Sequence, residues 1–461
     1  MADGGRFAKN NLSNPYRSKN RCYDTSLIFI LTKMKPLHRQ NKKTHMKSKI
    51  SHTAPDFVQT GQTHPMAENS EPKPKTKNNS ASSPPAFIPY GHQLIEDDDI
   101  QAVIDVLQSD WLTTGPRVTE FESAFAECTD AKAAVAVSSG TAALHCAIHA
   151  AGIGPGDEVI LPPMTFVATA NAVVFQGGIP VFADIEPDTL LINPHEVETL
   201  ITPRTKAIIA VDYAGHPCDY DALKSIADSH NLILIADACH ALGAEYKGEK
   251  VGTLADLTVF SFHPVKHITT GEGGMVVTNH TDLAEKMRRF RNHGIDTDHR
   301  QRALQGTWYY EMVDLGFNYR ISDIQCALGL SQLKKSSTWL QKRRDIAQQY
   351  DITLSNIQGI QPLTVRENVL HAYHLYVIQL NDTTQRAECY QHMRNNGIGV
   401  NVHYLPVHRH PYYQTHFETA RNARCPMAEA AYERVLSLPI HQGLNDAALE
   451  RIIDTLKLIR Y

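Results

Sequence analysis

The chain has 461 residues, 42% of them apolar and 20% charged, and a formal net charge of −4; this is globular composition with room for two or three domains. The charge is uneven: residues 1–85 hold 15 Lys and Arg against 5 Asp and Glu, leaving 30 against 44 for the rest, and a body this acidic gives no reason to expect nucleic-acid binding. No apolar run reaches the roughly 18 residues of a membrane span, and the eight Cys contain no CxxC pair, so they read as reduced thiols of a cytoplasmic protein, neither a disulfide frame nor a metal site.

Residues 1–85 are polar, basic and rich in Asn, Ser, Lys and Pro. They lack the apolar surface to offset ordering entropy, so this tail is expected to be disordered. Met34, Met46 and Met66 are each read as a candidate start. The folded body opens near Phe87. Ile100, Val103, Ile104 and Leu107 recur at helical spacing and predict a helix at 96–108, followed by a second at Val118–Cys128.

From residue 133 strands and helices alternate. Ala133–Val137, Glu158–Leu161, Val181–Ala183, Ala207–Val211, Leu232–Ala236, Val259–Phe262 and Met275–Thr278 read as strands. Ala142–Ala151, Val167–Phe175 and Tyr220–Ser229 read as helices between them. This pattern predicts a doubly wound α/β domain over 86–335. A helix at Ile321–Lys335 leads into a smaller α+β domain, 336–461. There His374–Gln379 and Gly399–His403 read as strands, and Arg386–Asn395 and Asp446–Ile459 as helices.

The chemistry concentrates between Asp237 and Lys266. A buried strand ends in Asp237, and the next strand ends at Ser261, with Lys266 just beyond. Taken singly, Asp237 is a helix N-cap and Lys266 a surface lysine. Together they suit pyridoxal 5′-phosphate (PLP), whose aldehyde condenses with a lysine and whose ring nitrogen needs a carboxylate. Ser139, Gly140 and Thr141 follow a strand and open a helix, which makes either an anion cradle or a plain cap. With Ser261 nearby, a single phosphate fits best, since neither a Walker pattern nor GxGxxG is present. Phe166, in a loop before a helix, either stacks on the pyridine face or packs in the core. His240, three residues after Asp237, is placed to reach the PLP phenolic oxygen or the Asp, unless it is structural. Gly271 to Gly274 let the backbone turn beneath the cofactor.

Six segments extend this pattern in order: SSGTAAL (138–144), PMTFVATAN (163–171), ADACHALGA (236–244), FSFHPVK (260–266), GEGG (271–274) and GFNYRISDIQ (316–325). Over 87–461 they resemble the DegT-type nucleotide-sugar aminotransferases. VDYAG (211–215), SFHPVKHITT (261–270), LGLSQLKK (328–335) and VHYLPV (402–407) are most similar to the branch that aminates C4 of a UDP-linked 4-keto-6-deoxy-N-acetylhexosamine in pseudaminic acid synthesis.

The resemblance implies an aspartate-aminotransferase-like PLP fold, L-glutamate as donor and Lys266 as catalytic residue. It also implies a homodimer with shared active sites, in which Asn318 reaches the partner's cofactor phosphate. Tyr90, Asp110, Trp111, Leu112, Thr113, Ser139, Asn401, Val402, His403 and Tyr404 would contact the sugar nucleotide. Another UDP-, dTDP- or GDP-linked keto sugar is the alternative substrate. Sugar dehydrases of this type replace the lysine, usually with His, and Lys266 argues against that chemistry. A non-catalytic binding protein would not need the whole set of cofactor groups. The basic tail has no counterpart in the family pattern.

Overall fold

The structure, a computed structural model, describes residues 86–459; the disorder expected of 1–85 lies outside them. Its strands are β1 (Ala133–Val137), β2 (Glu158–Leu161), β3 (Ile179–Phe182), β4 (Thr205–Val211), β5 (Ile233–Asp237), β6 (Glu245–Tyr246), β7 (Glu249–Lys250), β8 (Leu257–Ser261), β9 (Gly274–Thr278), β10 (Ile360–Pro362), β11 (Val369–Leu370), β12 (Tyr376–Leu380) and β13 (Val435–Leu438). Seven form one sheet in the order β1-β9-β8-β5-β4-β2-β3. From β8 to β3 neighbours are parallel, whereas β9 runs antiparallel to both β8 and β1. Val135, Ile160, Ile208, Ile235 and Val259 on these strands are fully buried. That two-sided burial explains why the strands read as unbroken apolar runs.

The first four helices are α1 (Asp97–Leu107), α2 (Pro116–Cys128), α3 (Gly140–Ala150) and α4 (Val167–Phe175). Nine of the eleven residues of α3 are buried, which its small side chains allow. The apolar positions that predict α1 do not form its buried face: Ile100 and Leu107 are about half exposed, while Asp99 and Val106 are buried. Asp99 turns inward because Gln332 Nε2 donates to it at 2.8 Å and Lys335 pairs with it at 2.9 Å. Lys335 also pairs with Glu96 and Asp98, so this acidic trio carries its own cation.

The helix expected to stop at Lys335 runs from Asp323 to Leu354. Lys334 to Thr338 interrupt its apolar spacing but include no Gly or Pro to end it. A three-stranded antiparallel sheet, β10-β12-β13, follows in the chain. Helices Gln385–Asn395 and Asp446–Lys457 pack on it through Cys389, Met393, Leu449 and Ile452. The strand expected at Gly399–His403 is absent; only Asn401 bridges to Ser437. There the Asn401 side chain takes the Val402 N–H at 2.9 Å, competing with a ladder.

Candidate active site

Strands β5 and β8 end side by side, with Asp237 opposite Val259, so both marked segments leave the sheet at its carboxyl edge. Asp237 is buried. Its Oδ2 accepts from Thr169 Oγ1 at 2.7 Å and its Oδ1 from the Cys239 N–H at 3.3 Å. These bonds are what make a carboxylate tolerable at that depth.

Lys266 lies in the turn that leaves β8, its N–H bonded to His263 O at 2.9 Å. Its side chain is half-buried. Burial lowers the amine below the ordinary lysine range, against the opposing pull of Cys239 and Asp237. An amine shifted this way is neutral, and so nucleophilic, at a lower pH than a surface lysine.

The anion cradle is built by a close approach. Ser139 caps α3, its Oγ accepting the Ala142 N–H at 3.1 Å. The N–H groups of Gly140 and Thr141 open the helix mouth. A Cβ added at Gly140 would lie 2.9 Å from Ser261 Cβ and 3.0 Å from its Oγ. Only glycine brings this helix mouth against the Ser261 hydroxyl. Backbone donors plus a hydroxyl suit a phosphate, and Asp237 and Lys266 suit the ring nitrogen and aldehyde, so the residues present fit PLP.

Phe166 occupies the N-cap of α4 without any side-chain cap bond and is 57% exposed. An apolar residue is a poor cap, and this ring is open to a planar ligand. It stands 6.2 Å from the Tyr404 ring. His240 is buried, and its Nε2 is 3.2 Å from the Tyr404 hydroxyl; its bond therefore goes to Tyr404 and not to Asp237. Burial, then Lys266, hold the imidazole well below its ordinary range. Its Nδ1 has no partner among the described residues, nor does that of His374, whose ring lies 4.4 Å away.

The segment Asn401–Tyr404 meets this group from the other side. The Tyr90 ring is 5.5 Å from that of His403. His403 Nδ1 is 2.8 Å from Ser437 Oγ, and its backbone oxygen accepts from the Tyr213 hydroxyl. Burial, with Lys266 second, pushes His403 down to about 3. Val402 is half-buried beside them.

Two expected groups stand apart in the single chain. Asp110 to Thr113 are exposed. They are anchored at the start of the long helix, where Leu112 O accepts the Asp323 N–H at 3.0 Å, and the Arg300 guanidinium lies 5.4 Å from the Trp111 ring. Asn318 is exposed on a strap held against α3. Tyr319 O accepts the Ser138 N–H at 2.9 Å, and the Tyr319 hydroxyl lies 3.1 Å from His145 Nδ1. Sequence reasoning missed Thr169, Tyr213 and His374. Two hydroxyls spaced i, i+4 across a helix start marked Thr165 and Thr169; nothing in the sequence marked His374.

A model of the DegT/DnrJ/EryC1/StrS aminotransferase family matches residues 93–457. SpsC of Bacillus subtilis, a spore coat polysaccharide biosynthesis protein, is 42% identical over 376 residues, covering 80% of this chain and 96% of SpsC. The structure of Helicobacter pylori PseC, an aminotransferase involved in the biosynthesis of pseudoaminic acid, superposes with a TM-score of 0.75 at 36% identity, over 80% of this chain and 98% of that one. Spr1654 of Streptococcus pneumoniae in its PMP form reaches 0.76 at 33% identity, over 80% and 98%. Fold and site together define a PLP-dependent aminotransferase of sugars. The chain belongs to the DegT/DnrJ/EryC1/StrS aminotransferase family. Membership gives it a keto nucleotide sugar and an amino donor as substrates. Among the described residues no helix is long and apolar enough to cross a membrane.

Proposed function

We propose that this enzyme transfers the amino group of L-glutamate to C4 of a UDP-linked 4-keto-6-deoxy-N-acetylhexosamine, giving UDP-4-amino-4,6-dideoxy-N-acetyl-β-L-altrosamine for pseudaminic acid synthesis in the cytoplasm. The observation that carries this reading is the junction of Asn401–Tyr404 with both Tyr90, through the His403 ring, and His240, through the Tyr404 hydroxyl, which sets a polar, aromatic wall beside Lys266. The likeness to PseC supports the choice of sugar.

When bound, PLP supplies an electron sink next to the bond being broken. Lys266 Nζ then takes the proton from the donor α-carbon, and in the second half of the cycle returns one at C4 of the sugar. Asp237 faces the ring nitrogen as an ionised acceptor. Gly140, Thr141 and Ser261 hold the phosphate, and Phe166 covers the ring. Tyr90, Asp110 to Thr113, Ser139, Asn401, Val402, His403 and Tyr404 contact the sugar nucleotide.

The active unit in this reading is a homodimer, and Asn318 serves the partner's phosphate. Exposed Leu304, Trp308 and Leu315, at 90%, 87% and 72%, support an interface on the strap side of the molecule. Limited proteolysis between 335 and 336, within the long helix, tests whether the large and small parts are separate domains.

The absorption spectrum tests the reaction. Glutamate should move the visible band of the lysine-bound cofactor into the near ultraviolet, and the UDP-4-keto sugar should restore it. Restoration only by a dTDP- or GDP-linked sugar would keep the class and replace the substrate. Mixing Lys266→Ala with Asn318→Ala protein tests the shared site: exchange of subunits should recover activity that neither variant has alone.

A further inference from the structure

Asp237 is held by a line of hydroxyls that reaches it from a different layer of the fold. Thr169 is 1% exposed and lies in the first turn of α4; Thr165, 2% exposed, precedes the helix. Thr169 Oγ1 is 2.7 Å from Asp237 Oδ2 and 2.7 Å from Thr165 Oγ1. A helical Thr ordinarily turns its hydroxyl back to the carbonyl four residues earlier. Here the residue four back is Thr165, and it offers a hydroxyl instead.

The direction of the line follows from proton counting. A threonine hydroxyl has one proton, and an ionised carboxylate can only accept. Thr169 therefore gives its proton to Asp237, and Thr165 must donate to Thr169. The second carboxylate oxygen takes the Cys239 N–H at the long distance of 3.3 Å. Thr169 is thus the short hydroxyl donor to Asp237, with the Cys239 thiol a weaker neighbour. Each hydroxyl strengthens the next while the line points at the carboxylate.

We infer that Thr169 is a positioning residue of the reaction: backed by Thr165, it fixes one oxygen of Asp237 as a proton acceptor, so that the other is presented, ionised, to the cofactor's ring nitrogen. This rests on the reading of Asp237 as the ring-nitrogen partner. A valine at 169 keeps the shape of the side chain and removes the donor. Asp237 would then lose the bond that orients its carboxylate, its grip on the ring-nitrogen proton would loosen, and the electron sink would weaken.

The test loads the full-length enzyme with PLP carrying ¹⁵N at the ring nitrogen and follows that nucleus by NMR against pH. In Thr169→Val the signal should move toward unprotonated pyridine, with kcat down about tenfold to a hundredfold, as for the loss of one hydrogen bond to a charged group. In Thr169→Ser it should stay with wild type, and Thr165→Val should fall between. A wild-type ¹⁵N signal in a folded Thr169→Val protein overturns the inference, because a merely structural threonine would lower stability without moving the ring proton. Thr169→Ala gives the same readout if the valine variant does not fold. Asp237→Asn separates the two claims: if it too leaves the signal unmoved, the role of Asp237 itself fails; if it shifts the signal and Thr169→Val does not, only the hydroxyl line fails.

Discussion

The Tyr404 hydroxyl and His240 Nε2 lie 3.2 Å apart across 164 residues of chain. This contact joins the connection between β12 and β13 of the small sheet to the turn that follows β5 of the large one. Removing the hydroxyl with Tyr404→Phe leaves the ring in place and takes away one neutral hydrogen bond. Such a bond is worth about 1 kcal/mol, or about fivefold in a rate. Steady-state kinetics should show kcat/KM for the keto sugar reduced by up to about that factor, and urea unfolding a stability loss of about 1–3 kcal/mol, since buried His240 Nε2 loses its partner.

Lys266→Ala should abolish turnover, since a positioned general base contributes about 10²–10⁴-fold and the covalent hold on PLP goes with it. The purified variant should lack the visible band of lysine-bound cofactor. Lys266→Arg should fail as well, because a guanidinium neither condenses with the aldehyde nor gives up a proton at working pH.

Gly140→Ala inserts a methyl group 2.9 Å from Ser261 Cβ. The mouth of α3 must then move off Ser261. Overpacking of this kind costs about 1–3 kcal/mol. Equilibrium dialysis should show PLP held about tenfold or more weakly, while added PLP restores part of the activity.

Acid should destabilise the fold through histidines kept neutral by burial. His145 is pushed down to about 4 by burial and then by His149, and His403 to about 3. Unfolded, both take protons near 6.5. The unfolded chain therefore binds more protons as pH falls from 6.5 to about 4, and for His403 on to about 3. Stability is present above 6.5 and is lost across that window, with a slope of up to about 1.4 kcal/mol per pH unit for each histidine. Urea unfolding between pH 7 and 4.5 should show the loss, and His145→Gln should make it shallower.

The large sheet was legible in the sequence because its strands are buried on both faces and so appear as apolar runs bounded by turn residues. Asp237, Ser261 and Lys266 could be placed together for the same reason: a strand end has one position in such a sheet. The rest depended on partners distant in the chain. Nothing near Asp99 announces that Gln332 and Lys335 will draw it inward and leave Ile100 outside. Asn401 looked like part of a strand because Val400 and Val402 flank it, yet its own amide carbonyl takes the next N–H. Thr169 lay in plain view within a motif, but its acceptor is 68 residues away.

The loop carrying Lys266 begins on β8 and ends on the neighbouring antiparallel β9. Phe262 N–H donates to Gly273 O at 2.9 Å, and Phe262 O accepts from Thr270 N–H at 3.1 Å. The loop is thus stitched shut at its base. Its main chain can neither slide nor swing without unzipping two central strands, so the amine must do its travelling on four methylenes alone. Lys266 is a short leash from a fixed post: wherever the reacting carbons sit, donor first and sugar second, both must come within the same small arc.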